Sequence, residues 1–206
     1  MNQQEQLDHW NTKLRDTAPH EIVQWALHQA ENPVITTNFR PYEVAILHLV
    51  TRLSPNIPVI WCDTGYNTVE TYRHLTVIND LLNLNLDTFV PEQSSAHRDA
   101  IMGIPSIEDS KHSLFTEQVK LEPFRRAMKL HNPDVWFTNL REGQTAFRDS
   151  LDILSLDKNG VLKVCPFYHW SDRELDRYLA EFNLPNEHKY FDPTKVHSNR
   201  ECGLHV

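Results

Sequence analysis

The sequence predicts an α/β protein: a three-layer sandwich with a mostly parallel, Rossmann-like central sheet and a mobile C-terminal arm. Short β-branched runs alternate with amphipathic segments, and this alternation is typical of parallel strands joined by helices. Two of the runs, Pro33–Thr37 and Pro58–Cys62, are almost continuously apolar, as expected for strands that helices cover on both faces. The 206 residues suffice for one domain with a substantial core.

The first half of the chain contains three predicted strands. Two amphipathic helices precede them, and we expect Trp10 and Trp25 in these helices to pack in the core. Residues 1–32 should pack on a nucleotide-binding domain formed by residues 33–185. The predicted elements are helices over 5–16 and from Pro19, a strand over 33–37, a helix over 42–53, a strand over 58–62, a helix over 67–82 that begins with a capping box of Asn67 and Glu70, and a strand over 86–90.

The second half contains a polar segment, a fourth strand and a hairpin. Residues 92–121 are irregular with short helical pieces and could form a flap over a pocket. Residues 186–206 show no periodicity and form the predicted arm of what is a single domain overall. The remaining elements are a helix over 122–130, a strand over 134–139, a hairpin of strands 153–156 and 161–164, and a helix from a capping box of Ser171 and Glu174 to about residue 182.

The amino-acid composition is that of a globular protein and argues against a membrane-spanning or nucleic-acid-binding one. Hydrophobic residues make up 40% and charged residues 23% of the chain, which is ordinary for a globular protein. No apolar run reaches the roughly 20 residues that span a bilayer, and the first residues lack a signal-peptide pattern. Three widely spaced cysteines indicate reduced thiols and a cytoplasmic protein. The net charge of −8 argues against nucleic-acid binding but permits an anionic small ligand in a locally positive pocket.

Three polar loops follow predicted strands, at residues 37–40, 63–66 and 141–148. Ligands of open parallel sheets bind beyond the carboxyl ends of the strands, so these loops should converge on a pocket. The cysteine near the end of the chain, Cys202, could reach such a pocket from a mobile arm. Its neighbours Arg200 and His205 could make it a nucleophile, because nearby cations lower the pKa of a thiol. The alternative is an ordinary surface thiol on a fraying terminus. We expect Cys62 and Cys165 to be buried.

Together these stretches resemble the phosphoadenylyl-sulfate (PAPS) reductase family, within the adenine-nucleotide α-hydrolase-like or PP-loop superfamily. The resemblance covers most of the chain from Pro33 onwards. It is carried by Asp63-Thr64-Gly65-Tyr66 with Glu70-Thr71-Tyr72-Arg73, by Leu140-Arg141 with Gln144 and Arg148, by Lys163-Val164 with Pro166 and Trp170, and by the tail Arg200-Glu201-Cys202-Gly203-Leu204-His205.

The resemblance implies a reaction of sulfate assimilation and cysteine biosynthesis. The thiolate of Cys202 would attack the sulfate of PAPS and expel adenosine 3′,5′-bisphosphate, while Arg200 and His205 hold the thiolate or neutralise charge. Thioredoxin or glutaredoxin would then reduce the S-sulfo cysteine and release sulfite. The resemblance also implies a homodimer without a bound cofactor.

The substrate-binding residues that the resemblance implies fall in three groups. Asp63, Thr64, Gly65 and Tyr66 would form the nucleotide-facing loop, although such a sequence is also simply a turn. Arg141, Gln144, Arg148 and Lys163 match family positions, and guanidinium groups suit phosphate, with surface salt bridges as the alternative. Thr36, Thr37, Asn38, Phe39 and Arg40 would form the phosphate loop.

The chain departs from the family in two places. The phosphate loop reads Thr36-Thr37-Asn38-Phe39-Arg40-Pro41 where relatives show a serine-rich stretch ending in Phe-Gly, and proline lacks an amide donor. Either the loop binds its anion through side chains, which we favour, or it has left nucleotide binding. The segment between Pro185 and Arg200 is also short. Lys195 and His197 there either contact phosphate or solvate the arm, and we favour the second.

The cysteine count bears on the cofactor. Adenylyl-sulfate (APS) reductases of the family bind an iron–sulfur cluster, and three isolated cysteines cannot supply its four thiolates. The histidines show no ligand spacing, so we expect neither a cluster nor a metal ion. A non-reducing PP-loop nucleotide-binding protein, or a relative that uses APS, remains the alternative function.

Overall fold

The computed structural model describes residues 2–106 and 108–195. The tail residues Arg200, Cys202 and His205 lie outside the described residues, as does His197. The elements are α1 (Gln3–Leu14), α2 (Pro19–Gln29), β1 (Pro33–Thr37), α3 (Glu43–Leu53), β2 (Pro58–Cys62), α4 (Val69–Leu82), β3 (Asn85–Phe89), α5 (Ser95–Ile101), α6 (His112–Thr116), a π-helical turn (Glu117–Leu121), α7 (Glu122–His131), β4 (Val135–Phe137), a 3-10 turn (Arg148–Ser150), β5 (Leu154–Leu156), β6 (Leu162–Val164) and α8 (Asp172–Glu181).

The strands form one six-stranded sheet in the order β3-β2-β1-β4-β6-β5. All pairs are parallel except the β5–β6 hairpin. The predicted mostly parallel sheet and the hairpin are therefore confirmed. From β1 the chain proceeds to β2 and β3 on one side and later to β4 on the other, so the topological switch point lies between β1 and β4.

Helices cover both faces of the sheet, which makes three layers. Side chains alternate along each strand: Val34 and Trp136 pack on one face with Ala127 of α7, whereas Ile35 and Phe137 join the larger core formed with α2, α3 and α8. Both faces are apolar because both are buried, and this is why the strands read as continuous apolar runs. No helix in the described ranges is long and apolar enough to cross a lipid bilayer.

The two N-terminal helices pack against the larger core. The Trp10 and Trp25 rings lie 4.9 Å apart and contact that core. Asn11 of α1 is buried and exchanges two hydrogen bonds with the main chain of Leu154 in β5, at 3.0 and 2.8 Å. The Asn11 amide thereby pairs the main-chain N–H and C=O of Leu154 in the edge strand β5, and it fixes α1 against that strand.

One predicted helix cap is wrong and the other is confirmed. Helix α4 is capped by Thr68, whose hydroxyl accepts the amide of Thr71 at 3.0 Å. The Asn67 side chain donates to Asp63 instead, at 2.8 Å, and is not available for capping. The capping box of Ser171 and Glu174 is present at the start of α8.

The predicted irregular segment over 92–121 contains more helix than expected. Helix α5 is short, and α6 runs through the π-helical turn directly into α7. Phe115 and Val119 in this stretch are completely buried. Their spacing of four residues places them on one helical face, so tertiary packing extends the helix.

Candidate functional site

A cavity of about 370 Å³ lies at the switch point, beyond the carboxyl ends of the central strands. The β1–α3 loop, the end of β2, the π-helical turn with α7, the residue after β4 and residues 190–195 line it. The predicted convergence of loops at this edge is therefore correct for the loops after β1 and β4. The turn after β2, residues 63–66, leaves the sheet at the same edge but is not part of this lining.

The β1–α3 loop is organised around the carboxylate of Glu43, which is 4% exposed. One carboxylate oxygen accepts the hydroxyl of Thr37 at 2.9 Å and the main-chain amide of Asn38 at 2.6 Å. The other accepts Arg40 Nε at 2.6 Å. Arg40 also donates to the carbonyl of Asn139 at 2.9 Å and so joins the β1 and β4 loops across the switch point.

Two residues of this loop adopt left-handed conformations without glycine. Phe39 has φ of 52° and Tyr42 has φ of 68°, so the positive φ values fall on either side of Arg40-Pro41. The Phe39 ring is 1% exposed and meets Trp61 at 5.7 Å between centroids. Phe39 therefore contributes to the core rather than to the cavity lining, because its ring is apolar. Thr36, Thr37, Asn38 and Arg40 do line the cavity.

The turn formed by residues 63–66 lies after β2 but does not line the cavity. Gly65 has φ of +78°, which the turn requires and glycine permits. The Asp63 carboxylate accepts the Gly65 amide and the hydroxyl of Tyr72, both at 2.9 Å. Burial and this carboxylate raise the pKa of Tyr72 to about 12. The polar groups of the turn bond to each other and to nearby side chains, and their assignment to nucleotide binding stays a prediction.

A second cavity of about 480 Å³ brings together three residues that the sequence singled out, Arg141, Gln144 and Arg148. The Gln144 carbonyl oxygen accepts the Arg141 amide at 3.1 Å and a guanidinium hydrogen bond from Arg148. Arg141 also donates to Asp172 at 2.6 Å and stacks over the Tyr42 ring at 5.4 Å. These contacts fix both guanidinium groups in the cavity lining.

The two cavities adjoin, because Arg40, Arg148 and Lys195 line both. The first cavity is lined by four cationic side chains and two carboxylates, and so is the second. Both linings are therefore locally positive on a chain of net charge −8. Such a lining favours an anionic ligand. We expected Lys195 to be a solvated side chain of the C-terminal arm. It is instead half-buried and lines both cavities.

Lys163 is placed differently from the other predicted cations. It lies on β6, is 1% exposed, and its ammonium is 6.0 Å from the centre of the Trp136 ring. It lines neither cavity. Because the side chain is buried beside Trp136, substrate contact by Lys163 stays a prediction.

Cys62 and Cys165 are both buried and form no disulfide, as predicted. Burial raises the pKa of the Cys165 thiol to about 12. Cys62, at the end of β2, is also part of the cavity lining. The sequence did not predict this, because a small residue at a strand end carries no signal of its own.

Sequence reasoning missed the ion pair of Lys120 and Asp192, which is buried in the cavity wall. Thr194 donates its amide and hydroxyl to Asp192, at 3.0 and 2.6 Å. Although burial acts to raise it, the Lys120 ammonium and the Thr194 hydrogen bonds hold the pKa of Asp192 below its usual value. The Asp-Pro-Thr sequence signals a turn, but no local pattern announces the π-helical turn that directs Lys120 inward.

The first residues of the predicted arm lie along the carboxyl edge of the sheet. The amide of Tyr42 donates to the Asn186 side chain at 2.9 Å, and the Thr68 hydroxyl donates to the carbonyl of Lys189 at 2.8 Å. These bonds attach the segment to the starts of α3 and α4. The segment thereby places Tyr190, whose pKa is raised by burial, in the cavity wall.

Within residues 2–106 and 108–195, no group of three or more histidine, cysteine, aspartate or glutamate side chains is arranged to hold a metal ion. The polar groups described above suit a ligand that carries its own negative charge.

Comparison with known proteins is consistent with this geometry. The family model described as the phosphoadenosine phosphosulfate reductase domain matches residues 32–192. A phosphoadenosine 5′-phosphosulfate reductase from Synechococcus sp. is 33% identical over 225 residues, covering 95% of each chain. One from Aliivibrio salmonicida is 33% identical over 221 residues, covering 95% of this chain and 86% of the relative.

Solved structures share the fold. PAPS reductase from Candida auris, a phosphate complex, has a TM-score of 0.79 at 24% identity over 90% of each chain. FMN adenylyltransferase from Candida glabrata, bound to FMN and an ATP analogue, has a TM-score of 0.59 at 11% identity and covers 86% of this chain and 58% of that protein.

Proposed function

Because this chain belongs to the phosphoadenosine phosphosulfate reductase family, we propose that it reduces 3′-phosphoadenylyl sulfate to sulfite and adenosine 3′,5′-bisphosphate. The single observation that carries this proposal is the pair of adjoining, positively lined cavities at the switch point. Their volumes are of the size that small-molecule sites have. A nucleotide with a phosphosulfate at one end and a phosphate at the other needs cations at more than one place.

The two arginines that line the second cavity, Arg141 and Arg148, support binding of this nucleotide. The guanidinium of Arg141 donates to Asp172 and that of Arg148 donates to Gln144, so their planar groups are oriented before the ligand arrives. Guanidinium groups form paired hydrogen bonds with phosphate oxygens. Orienting them in advance reduces the entropic cost of binding.

In the proposed first step, the thiolate of Cys202 attacks the sulfur atom of the substrate's sulfate group. An S–S bond forms, and the bond between that sulfur and the bridging oxygen breaks. The bridging oxygen keeps the electron pair and leaves on adenosine 3′,5′-bisphosphate. Arg200 and His205 would stabilise the thiolate and the sulfate charge. These three residues lie outside the described part of the chain, so this step rests on the family alone.

In the second step, a thiolate of reduced thioredoxin or glutaredoxin attacks the sulfur of Cys202. Sulfite leaves with the electron pair of the S–S bond, and a mixed disulfide forms between Cys202 and the donor. A second thiol, of the donor or of glutathione, resolves the mixed disulfide and regenerates Cys202. The donor thiols are thereby oxidised to a disulfide, which balances the reduction of sulfate-level sulfur to sulfite.

The covalent step can be tested by whole-protein mass measurement. Reduced protein mixed with the substrate, in the absence of thioredoxin, should gain one SO₃ group that dithiothreitol removes. Adenosine 3′,5′-bisphosphate should appear in equal amount, and Cys202→Ser should abolish both. Nucleotide retained without an adduct would instead favour a non-reducing nucleotide-binding protein.

Substrate preference, oligomeric state and electron donor can each be tested separately. The presence of two positively lined cavities favours PAPS over APS, and the ratio of kcat/KM for the two substrates tests this preference. We also propose a cytoplasmic homodimer, for which light scattering of the purified protein is the direct test. Sulfite release with thioredoxin compared with glutaredoxin identifies the electron donor.

A further inference from the structure

The β1–α3 loop already contains an anion, which is its own Glu43 side chain. The carboxylate accepts three donors, from the hydroxyl of Thr37, the amide of Asn38 and the guanidinium of Arg40. It is almost completely buried, and its residue forms part of the lining of the first cavity. The carboxylate is therefore part of the site rather than of the protein surface.

This position is where such a loop binds an anion. It follows a parallel strand at the switch point and precedes the N-terminus of α3, whose dipole favours negative charge. The amide of Phe39 is also used internally, since it donates to the Thr37 hydroxyl at 2.9 Å. The amide of Tyr42 donates to Asn186. Pro41 has no amide hydrogen to donate.

We infer that Glu43 is a specificity-determining residue, whose carboxylate occupies the anion position of the β1–α3 loop and excludes the substrate's phosphate and sulfate groups from it. The inference rests on the proposed function for the identity of the substrate. Its test does not require turnover.

The exclusion redirects the anionic groups of the ligand. A phosphate placed on the loop amides would lie within a few ångströms of a buried carboxylate, where like charges repel strongly. Arg148 and Lys195 line both cavities and supply further cationic groups for the ligand. Glu43 also holds Arg40 against the end of β4. The loop therefore contributes an oriented guanidinium in place of its amides.

The test measures binding of inorganic phosphate by wild type, Glu43→Gln and Glu43→Ala. Dissociation constants come from the phosphate-dependent rise in melting temperature at constant ionic strength. Removal of the buried negative charge should tighten phosphate binding about tenfold or more. Glu43→Ala should show the larger effect, because it also opens the space that the carboxylate filled. Unchanged or weaker phosphate binding in both folded variants would overturn the inference.

A matched control is Glu181→Gln, which removes the same charge from the exposed C-terminal end of α8, outside the linings of both cavities. Its phosphate affinity should stay within about twofold of wild type, because an exposed charge is screened by water and salt. An equal gain in this control would mean that net charge, rather than the position of Glu43, sets phosphate affinity, and would overturn the inference.

If the Glu43 variants fail to fold, phosphate binding by a Thr37→Val variant provides the test. This variant removes a loop donor and keeps the carboxylate, so phosphate binding should not weaken. A loss of about tenfold would show that the wild-type loop binds the anion directly. If the protein fails to reduce PAPS while Glu43→Gln gains phosphate affinity, the proposed function fails and this inference stands. Sulfite release by wild type without a gain in the variants would overturn this inference alone.

Discussion

The ammonium of Lys120 and the carboxylate of Asp192 form a buried ion pair that joins the π-helical turn to the segment leading into the C-terminal tail. The two residues are 72 positions apart. Asp192 is further fixed by Thr194. The pair therefore fixes Asp192 in the cavity wall, and both residues form part of the lining.

Breaking this pair should be costly. Lys120→Met or Asp192→Leu alone leaves one buried charge unpaired, and we expect a loss of about 3–5 kcal/mol in the free energy of unfolding. The double variant should recover much of that loss, because neither charge remains. Urea unfolding of the four proteins gives the coupling energy, with the exposed pair of Arg15 and Asp152 as the matched control. Additive losses at Lys120 and Asp192 would contradict a direct pair.

Acid should weaken the fold through the same carboxylate. The pKa of Asp192 is lowered in the folded protein, so its contribution to stability is present above the ordinary carboxyl pKa of 3.8. That contribution is lost as pH falls below this value through the folded-state pKa. The difference in unfolding free energy between wild type and Asp192→Asn should therefore shrink below about pH 4. A difference that grows on acidification would contradict the assigned direction.

Arg148 should contribute to substrate affinity. Its guanidinium is held by Gln144 and lines both cavities, so Arg148→Gln should lower kcat/KM by about ten- to a hundredfold, as loss of a charged hydrogen bond does. Arg15→Gln, which removes an exposed surface arginine, is the control and should be near wild type. Arg148→Lys should recover only part of the loss, because an ammonium cannot form the same paired contacts.

The three thiols should differ in reactivity. The pKa of Cys165 is raised to about 12 by burial, so almost none of it is thiolate at pH 8. Native protein treated with iodoacetamide at pH 8 should therefore leave Cys165 unmodified, whereas denatured protein should be fully alkylated. Peptide mass mapping gives the modified positions, and Cys202 is expected to react first. Rapid labelling of Cys165 in native protein would contradict its burial.

Much of the fold could be predicted because it is locally encoded. The apolar runs of β1 and β2 identified buried parallel strands, and the Asp157–Gly160 turn identified the hairpin. The capping box of Ser171 and Glu174 located the start of α8. In each case neighbouring residues carry the signal, through periodicity or a short-range hydrogen bond.

The site was predictable only in outline. Chain order alone indicated that loops would converge at the carboxyl edge, and Arg141, Gln144 and Arg148 do meet there. The 63–66 turn has the motif, but its polar groups bond to each other and to nearby side chains, and it is not part of the cavity lining. Lys163 has the charge but lies buried within the sheet. A residue type and its order in the chain do not specify the direction of a side chain.

By itself, then, the sequence determined the class of fold, the strand-to-helix order, the family and the edge of the sheet where the cavities lie, because these depend on local patterns and recognisable motifs. Only the tertiary structure decided that Glu43 fills the β1–α3 loop and that Lys120 meets Asp192 across 72 positions. These contacts join elements whose separation in the chain carries no pattern. They form because a buried charge is stable only beside a partner, and the folded chain alone determines which partner is near.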